Sequence, residues 1–321
     1  MERIDAFGHA LTEPFYEELT SNHDFQGLAG SPAWLWDVER FEADMDELGL
    51  DRMVLTLALP PIWRGMDPDD ARPLVRLAND ELRRLADEHP DRFIPVGTIP
   101  FGEDAYRDEF DRCIDELGMA GVQIFSNVDG EPIDRPRFEW WYERAERHGV
   151  PLWLHPQHHD WYDWAAERMD HRLFGWPFDT TLALSRLVFS GLTQAYDFDL
   201  VTHHGGGMVP FLGARIDMFY ETRLAYPDNY DADLPAFDGD PSDQFRETFV
   251  GDTALDGSVA ALECARSFYG SGRVVFGTDY PFGPGRGRAK AEAAIESIEA
   301  ADLTDEERAA VYGGNLRSLL E

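Results

Sequence analysis

Apolar residues in this chain follow two rhythms that take turns from one end to the other. Short solid runs, such as Val274-Val275-Phe276 closed by Gly277 and Pro281, read as strands buried on both faces. Between them lie longer stretches with apolar residues at helical spacing, as at Leu74, Leu77, Leu82 and Leu85. The runs predict strands over Arg3–Phe7, Arg52–Leu59, Phe93–Ile99, Gly121–Phe125, Pro151–His155, Leu200–His204, Phe245–Asp252 and Val274–Asp279. The periodic stretches predict helices over Asp37–Leu48, Pro73–Glu88, Ala105–Leu117, Arg137–His148 and Thr180–Ala195, with one more after each of the last two strands. Eight strands alternating with helices, and no linker, predict an α/β protein of the (β/α)8 TIM barrel class, a single domain over 1–321. Its length exceeds the roughly 250 residues usual for that fold, so loop insertions are expected near 157–177 and 225–243. The second of these, rich in Asp, Pro and Gly, reads as a surface excursion.

Charge narrows the setting. The chain carries 62 acidic residues against 28 basic, a formal net charge of −34, and Lys290 is its one lysine. Acid spread through every segment points to a halophilic surface, on which high salt screens the self-repulsion. A phosphate backbone needs a basic face, so no nucleic acid partner is expected. No apolar run approaches the ~18 residues of a membrane span, and MERIDAF lacks the regions of a signal peptide, so no membrane partner is expected and the location reads as cytoplasmic. Cys113 and Cys264 offer neither a disulfide framework nor a metal site and read as small core residues.

The chemistry sits at the predicted strand ends. Asp279 closes the last strand, where an unpaired buried carboxylate would be costly. It is a metal ligand, an acid/base group or a cap for the next helix. His9 follows the first strand, His155 ends the fifth and His204 the sixth. The carboxyl ends of barrel strands form one rim, so these four converge there. Imidazole and carboxylate together suit Zn²⁺ and related divalent ions.

At this point the chain resembles the amidohydrolase superfamily, and more closely its aminocarboxymuconate semialdehyde decarboxylase-like branch. The resemblance runs through Gly121-Val-Gln-Ile-Phe125, Pro151-Leu-Trp-Leu-His-Pro156, Trp176-Pro-Phe-Asp-Thr-Thr181, Phe189-Ser-Gly191, His204-Gly-Gly-Gly-Met-Val-Pro-Phe211, Gly213-Ala-Arg215 and Phe276-Gly-Thr-Asp-Tyr-Pro281. It implies a metal-dependent hydrolase-like barrel with His155 and Asp279 as ligands. It also implies His204 as the base that activates or positions the water held by the metal, and a proton relay through Asp279. Many members remove CO₂ from unsaturated or aromatic carboxylates, and others hydrolyse lactones or amides.

One position departs from the pattern. The family opens with Asp-x-His-x-His, or with Glu for its first His, whereas this chain has Asp5-Ala-Phe-Gly-His9. Phe7 cannot coordinate an ion, which leaves His9, His155 and Asp279 as metal ligands, with Asp5 or Glu13 as possible substitutes. The expected cofactor is a divalent metal, Zn first and Mn or Co next, or none because of Phe7. His203, by strand alternation opposite to His204, is expected to pack behind the sheet. The loop holding His158, His159, Trp161, Tyr162, Trp164 and Trp176 would either cover a planar substrate or meet a second copy of the chain. Trp164 and Trp176 are the expected pocket walls. Arg64 and Arg215 would fork onto a substrate carboxylate, against the alternative of solvated or paired surface arginines. Gly205-Gly-Gly207 lacks the lysine of a phosphate loop and reads as backbone passing close to the site.

The leading expectation is therefore a metal-dependent carboxy-lyase acting on a small unsaturated or aromatic carboxylic acid, and the resemblance implies a homodimer. A lactone or amide hydrolase on the same fold is the alternative, and a barrel without metal or activity that serves as a binding protein is the second.

Overall fold

A computed structural model of the chain describes residues 1–22, 35, 37–57, 60–157, 167–229 and 234–321. The eight expected strands are present: β1 (Ile4–Ala10), β2 (Arg52–Leu57), β3 (Phe93–Pro95 and Gly97–Thr98), β4 (Val122–Phe125), β5 (Leu152–His155), β6 (Leu200–Thr202), β7 (Phe249–Asp252) and β8 (Val274–Val275). Neighbours pair in parallel in chain order, β1 with β2 with β3, then β3 through to β8. Val96 N bonds to Leu55 O and Gly97 N to Gly121 O, so the two halves of β3 carry the ladder across a bend. The chain beyond β8 closes the circle. Ala6 N donates to Phe276 O at 2.7 Å, His9 N to Tyr280 O at 2.8 Å, and Gly8 bridges Tyr280. The result is a (β/α)8 barrel.

Inside it Ile4, Ala6, Val54, Val96, Trp153, Val201, Val250 and Val275 form one buried cluster, with Leu316 of the C-terminal helix Asn315–Leu320 packed against it. Trp153 Nε1 donates to Ala6 O at 2.9 Å across that interior. Helices cover the outside, and their ends follow the local chemistry. Asp37 caps helix Val38–Leu48 by accepting from Arg40 N, and Gly49 closes it in the left-handed conformation.

Several boundaries differ from the sequence pattern, among them the end of β1, which reaches Ala10 and so contains His9. Residues 245–248 are helical, because Pro241 at the first turn and the reciprocal Asp240–Asp243 capping box start helix Pro241–Thr248 just ahead of β7. β6 ends at Thr202 and β8 at Val275, both short of the predicted ends, because the chain turns out of the sheet to build the rim. Of the expected insertions, helix His171–Ser190 takes the latter part of 157–177, while 158–166 lie outside the described residues. The segment 225–243 runs through the short turn Pro227–Asn229 into helix Pro241–Thr248, with 230–233 outside the described residues. Cys113 is buried and Cys264 half-buried, both on helices and both unpaired. Among the described residues no helix is long and apolar enough to cross a membrane.

Candidate active site

The site is built where β1, β5, β6, β7 and β8 end. His9 comes from the last turn of β1, just past a bulge between Asp5 and Gly8. Its Nδ1 lies 2.8 Å from Thr56 Oγ1, and the Thr56 hydroxyl donates to Gly8 O at 3.0 Å. With its one proton given to Gly8, the Thr56 oxygen accepts from His9 Nδ1–H, which leaves Nε2 as a bare lone pair. That Nε2 sits 3.3 Å from Asp279 Oδ1, buried and without a hydrogen-bond partner. His155, the last residue of β5, donates Nδ1–H to Pro156 O at 2.7 Å, so its Nε2 is bare as well. The His9 and His155 ring centroids are 5.2 Å apart.

Asp279 lies at the centre. Its backbone takes a left-handed φ of 62° just beyond β8. Oδ1 faces His9 and His203, both at 3.3 Å, and Oδ2 accepts from Lys290 Nζ at 2.6 Å. Burial alone would raise its pKa. The hydrogen bond from His203 and the charges of His203 and Lys290 outweigh that and hold it well below the usual carboxylate range. Burial lowers His9 and, more strongly, His155, so both are neutral.

His203 belongs to this centre and does not pack behind the sheet. Val201 points into the barrel, and alternation sends 203 the same way. His203 Nδ1 meets Asp252 Oδ2 at 2.5 Å, and Phe7 stacks on its ring at 4.2 Å. Burial would lower its pKa, but the two carboxylates of Asp252 and Asp279 raise it to about 9. His204 is turned back toward the site by a positive φ of 53°, made possible by the turn Gly205–Gly207. A Cβ on Gly207 would lie 2.3 Å from Pro177 O, so this backbone does pass close to its neighbours. His204 Nδ1 is buried without a partner, and burial together with the His203 charge pushes the imidazole well below its ordinary pKa.

These groups open onto a cavity of about 730 Å³ lined by His155, His204, Asp279, Trp176, Leu173, Ala254, Leu255, Phe282, Arg172 and Lys290, among others. Trp176 stands edge-on to His155, 5.4 Å between centroids, and forms one wall. Trp164 lies outside the described residues, as do His158, His159, Trp161 and Tyr162. Arg64 and Arg215 do not line the cavity. Arg64 is exposed, past the short helix Pro60–Trp63, and Arg215 is exposed on helix Val209–Ala225 with its guanidinium 4.6 Å from the Phe219 ring centre. The cations at the cavity are instead Arg172, which pairs with Asp170, and Lys290, which sequence reasoning had not singled out. One signal was available: an acid-rich chain with a single lysine keeps it here. Asp5 does not act as a substitute ligand, because its carboxylate accepts from Phe7 N, Thr278 N and the Thr278 hydroxyl, tying β1 to the residue before Asp279. Glu13 is exposed at the start of helix Glu13–Asn22.

The donor chemistry fits a divalent cation. Two neutral imidazoles, His9 and His155, present bare nitrogens, and His9 Nε2 directly faces an ionised carboxylate oxygen with no proton between them. Lone pair against carboxylate is repulsive until a cation lies between.

Comparison with known proteins gives the family. A family model described as Amidohydrolase matches residues 4–321. The chain is 30% identical over 314 residues to 2-amino-3-carboxymuconate-6-semialdehyde decarboxylase of Dictyostelium discoideum, covering 95% of this chain and 79% of that protein. It is 30% identical over 334 residues to gamma-resorcylate decarboxylase of Rhodococcus jostii, covering 97% and 98%. Among solved structures, 5-carboxyvanillate decarboxylase of Sphingomonas paucimobilis superposes with a TM-score of 0.85 at 25% identity, over 99% of this chain and 98% of that one. The fold of 5-carboxyvanillate decarboxylase from Novosphingobium aromaticivorans, solved with bound manganese, superposes with a TM-score of 0.86 at 22% identity, over 99% of this chain and 97% of that one. Motif order, barrel and rim chemistry thus lead to one conclusion: this chain belongs to the amidohydrolase family.

Proposed function

We propose that this chain, as one barrel domain, decarboxylates a small aromatic or unsaturated carboxylic acid with the help of a divalent ion held by His9, His155 and Asp279. The observation that carries the reading is that buried His9 faces Asp279 Oδ1 at 3.3 Å and His155 at 5.2 Å between ring centroids, while His155 and Asp279 line a cavity of about 730 Å³. That its relatives are decarboxylases supports it. A bound divalent ion would supply fixed positive charge beside the substrate's oxygens, where negative charge builds as the C–C bond breaks. Nitrogen-rich ligation suits zinc, and the manganese named for the Novosphingobium structure makes Mn²⁺ the alternative.

The chain's own residues do the rest. Trp176, Leu173, Leu255 and Phe282 grip the ring faces and keep water out. Decarboxylation leaves the electron pair of the broken C–C bond on carbon as CO₂ departs, and a proton must replace the lost group. His204 sits on the cavity wall beside Asp279, placed to pass a proton drawn from solvent to that carbon. Lys290 keeps Asp279 ionised and oriented.

Two further features belong to the same reading. Helix Val209–Ala225 exposes Phe211, Met218, Phe219 and Leu224, which supports a second copy of this chain as its partner. The uniform acid excess supports a working environment of high salt.

The test is CO₂ release from 2,6-dihydroxybenzoate, 5-carboxyvanillate and muconate-like acids, run beside lactone and amide hydrolysis, on protein stripped of metal and then reloaded with Zn²⁺, Mn²⁺ or Co²⁺. Metal-dependent CO₂ release that disappears in Asp279→Asn is the expected result. Hydrolysis without CO₂ release would replace the lyase reading with the hydrolase one.

A further inference from the structure

The cluster contains one donor more than the proposed ion site uses. His203 Nε2 lies 3.3 Å from Asp279 Oδ1, the same separation that His9 Nε2 has from that oxygen. His9, His155 and His203 each offer a ring nitrogen, and these nitrogens all fall within 4.8 Å of one another. Ligand atoms arranged tetrahedrally at bonds of about 2.0–2.1 Å lie roughly 3.3 Å apart, so the two His–Asp279 edges already have the spacing of a closed site.

Each of the three imidazoles is also turned by a group behind it. His9 is held by Thr56, His155 by the Pro156 carbonyl and His203 by Asp252. The Asp252 hold is itself anchored, since its other oxygen accepts from Gly205 N at 2.8 Å and Ala254 N at 3.2 Å. A carboxylate behind a histidine whose far nitrogen faces a second anionic donor is how metal-binding imidazoles are oriented. Phe7 completes the argument. Its ring lies flat on His203 and within 5.7 Å of His9, so it walls the side of the cluster from which β1 sends no second donor.

We propose that His203 is a fourth ligand of the ion, oriented by Asp252, and that it supplies the donor absent at position 7. The proposal rests on the reading that His9, His155 and Asp279 hold a divalent cation. His203 coordinates through Nε2, and the proton now on Nε2 leaves to solvent as the ion enters. Asp252 is a positioning residue that touches neither ion nor substrate.

The full-length protein, stripped of metal and titrated with Zn²⁺ and Co²⁺ against a chelator, gives the affinity. X-ray absorption at the metal edge counts imidazoles per ion without reference to activity. Wild type is expected to show three imidazoles. His203→Asn should show two, with affinity down at least a hundredfold. Asp252→Asn should keep three while binding about 10–100-fold more weakly. Phe7→His combined with His203→Asn should return the count to three and recover affinity, because a ring at position 7 faces the same cluster. Two imidazoles in wild type, or a His203→Asn variant that binds within threefold of wild type, would overturn the proposal while the three-ligand site stands. A wild type that binds none of Zn²⁺, Co²⁺ or Mn²⁺ would overturn both and leave His203 as a cation bridging Asp252 and Asp279. If His203→Asn does not fold, the wild-type count decides alone.

Discussion

Phe7 and His203 lie ring on ring, their centroids 4.2 Å apart and their planes 18° from parallel. The contact joins the end of β1 to the end of β6 at the centre of the barrel mouth, and both rings are fully buried. Phe7 thus packs the site and fixes the plane of the imidazole beside it. Phe7→Ala should destabilise the metal-free protein by ~3–5 kcal/mol, the cost of a large buried cavity. Denaturant unfolding, with m unchanged, checks it. A loss under 1 kcal/mol would mean that the ring is not packed as described.

Lys290 should matter more than an ordinary surface lysine. It is about three-quarters buried, bridges Asp279 and Asp256, and sits on the cavity wall. Lys290→Met should lower kcat/KM by roughly one to two orders of magnitude, as breaking a buried pair leaves the carboxylate uncompensated. With the cation gone, the Asp279 pKa rises, so the acid limb of the pH–rate profile should move to higher pH. Lys290→Arg should recover part of the loss. An unchanged acid limb would separate Lys290 from Asp279.

Stability of the metal-free protein should fall with rising pH above neutrality. His203 is raised to about 9 when folded and returns to an ordinary histidine value when unfolded. The folded state therefore binds the extra proton. That contribution is complete below about pH 6.5 and is lost as pH climbs through about 9. Unfolding midpoints at pH 6.5, 8 and 9.5 in constant high salt should decline, and the decline should flatten in His203→Asn. A flat wild-type profile would contradict the imidazolium.

Salt should stabilise the fold. A net charge of −34 repels itself at low ionic strength, and the screening length falls from ~10 Å at 0.1 M to ~3 Å at 1 M. Tm measured across that range in KCl should rise steadily. A Tm independent of salt would remove the halophilic reading.

Much of this was legible in the chain itself. Eight apolar runs in alternation with helical stretches give the barrel, because parallel strands buried on both faces leave so plain a mark. His9, His155 and Asp279 were legible as candidates because each stands at or just past the end of such a run. What the pattern missed lies where strands stop being strands. β6 ends at Thr202 and His204 bends back through a positive φ, so simple alternation could not show that His203 and His204 both reach the site. Asp252 and Lys290 come from β7 and from helix Arg288–Ala300, and only the closed barrel brings them to the rim. Arg64 and Arg215 read in sequence either as carboxylate anchors or as surface arginines; side-chain direction on a helix or turn is decided by packing, and packing leaves both at the surface.

The most direct measurement is metal stoichiometry by elemental analysis on protein purified at high salt, for wild type and Asp279→Asn. The account predicts one divalent ion per wild-type chain, removable by chelator and restored by titration. It also predicts a loss of at least tenfold in affinity when Asp279 is neutralised, since among the described residues Asp279 is the anionic donor grouped with the histidines. A wild-type protein that takes up no ion, or an Asp279→Asn variant that holds one as tightly, would contradict it.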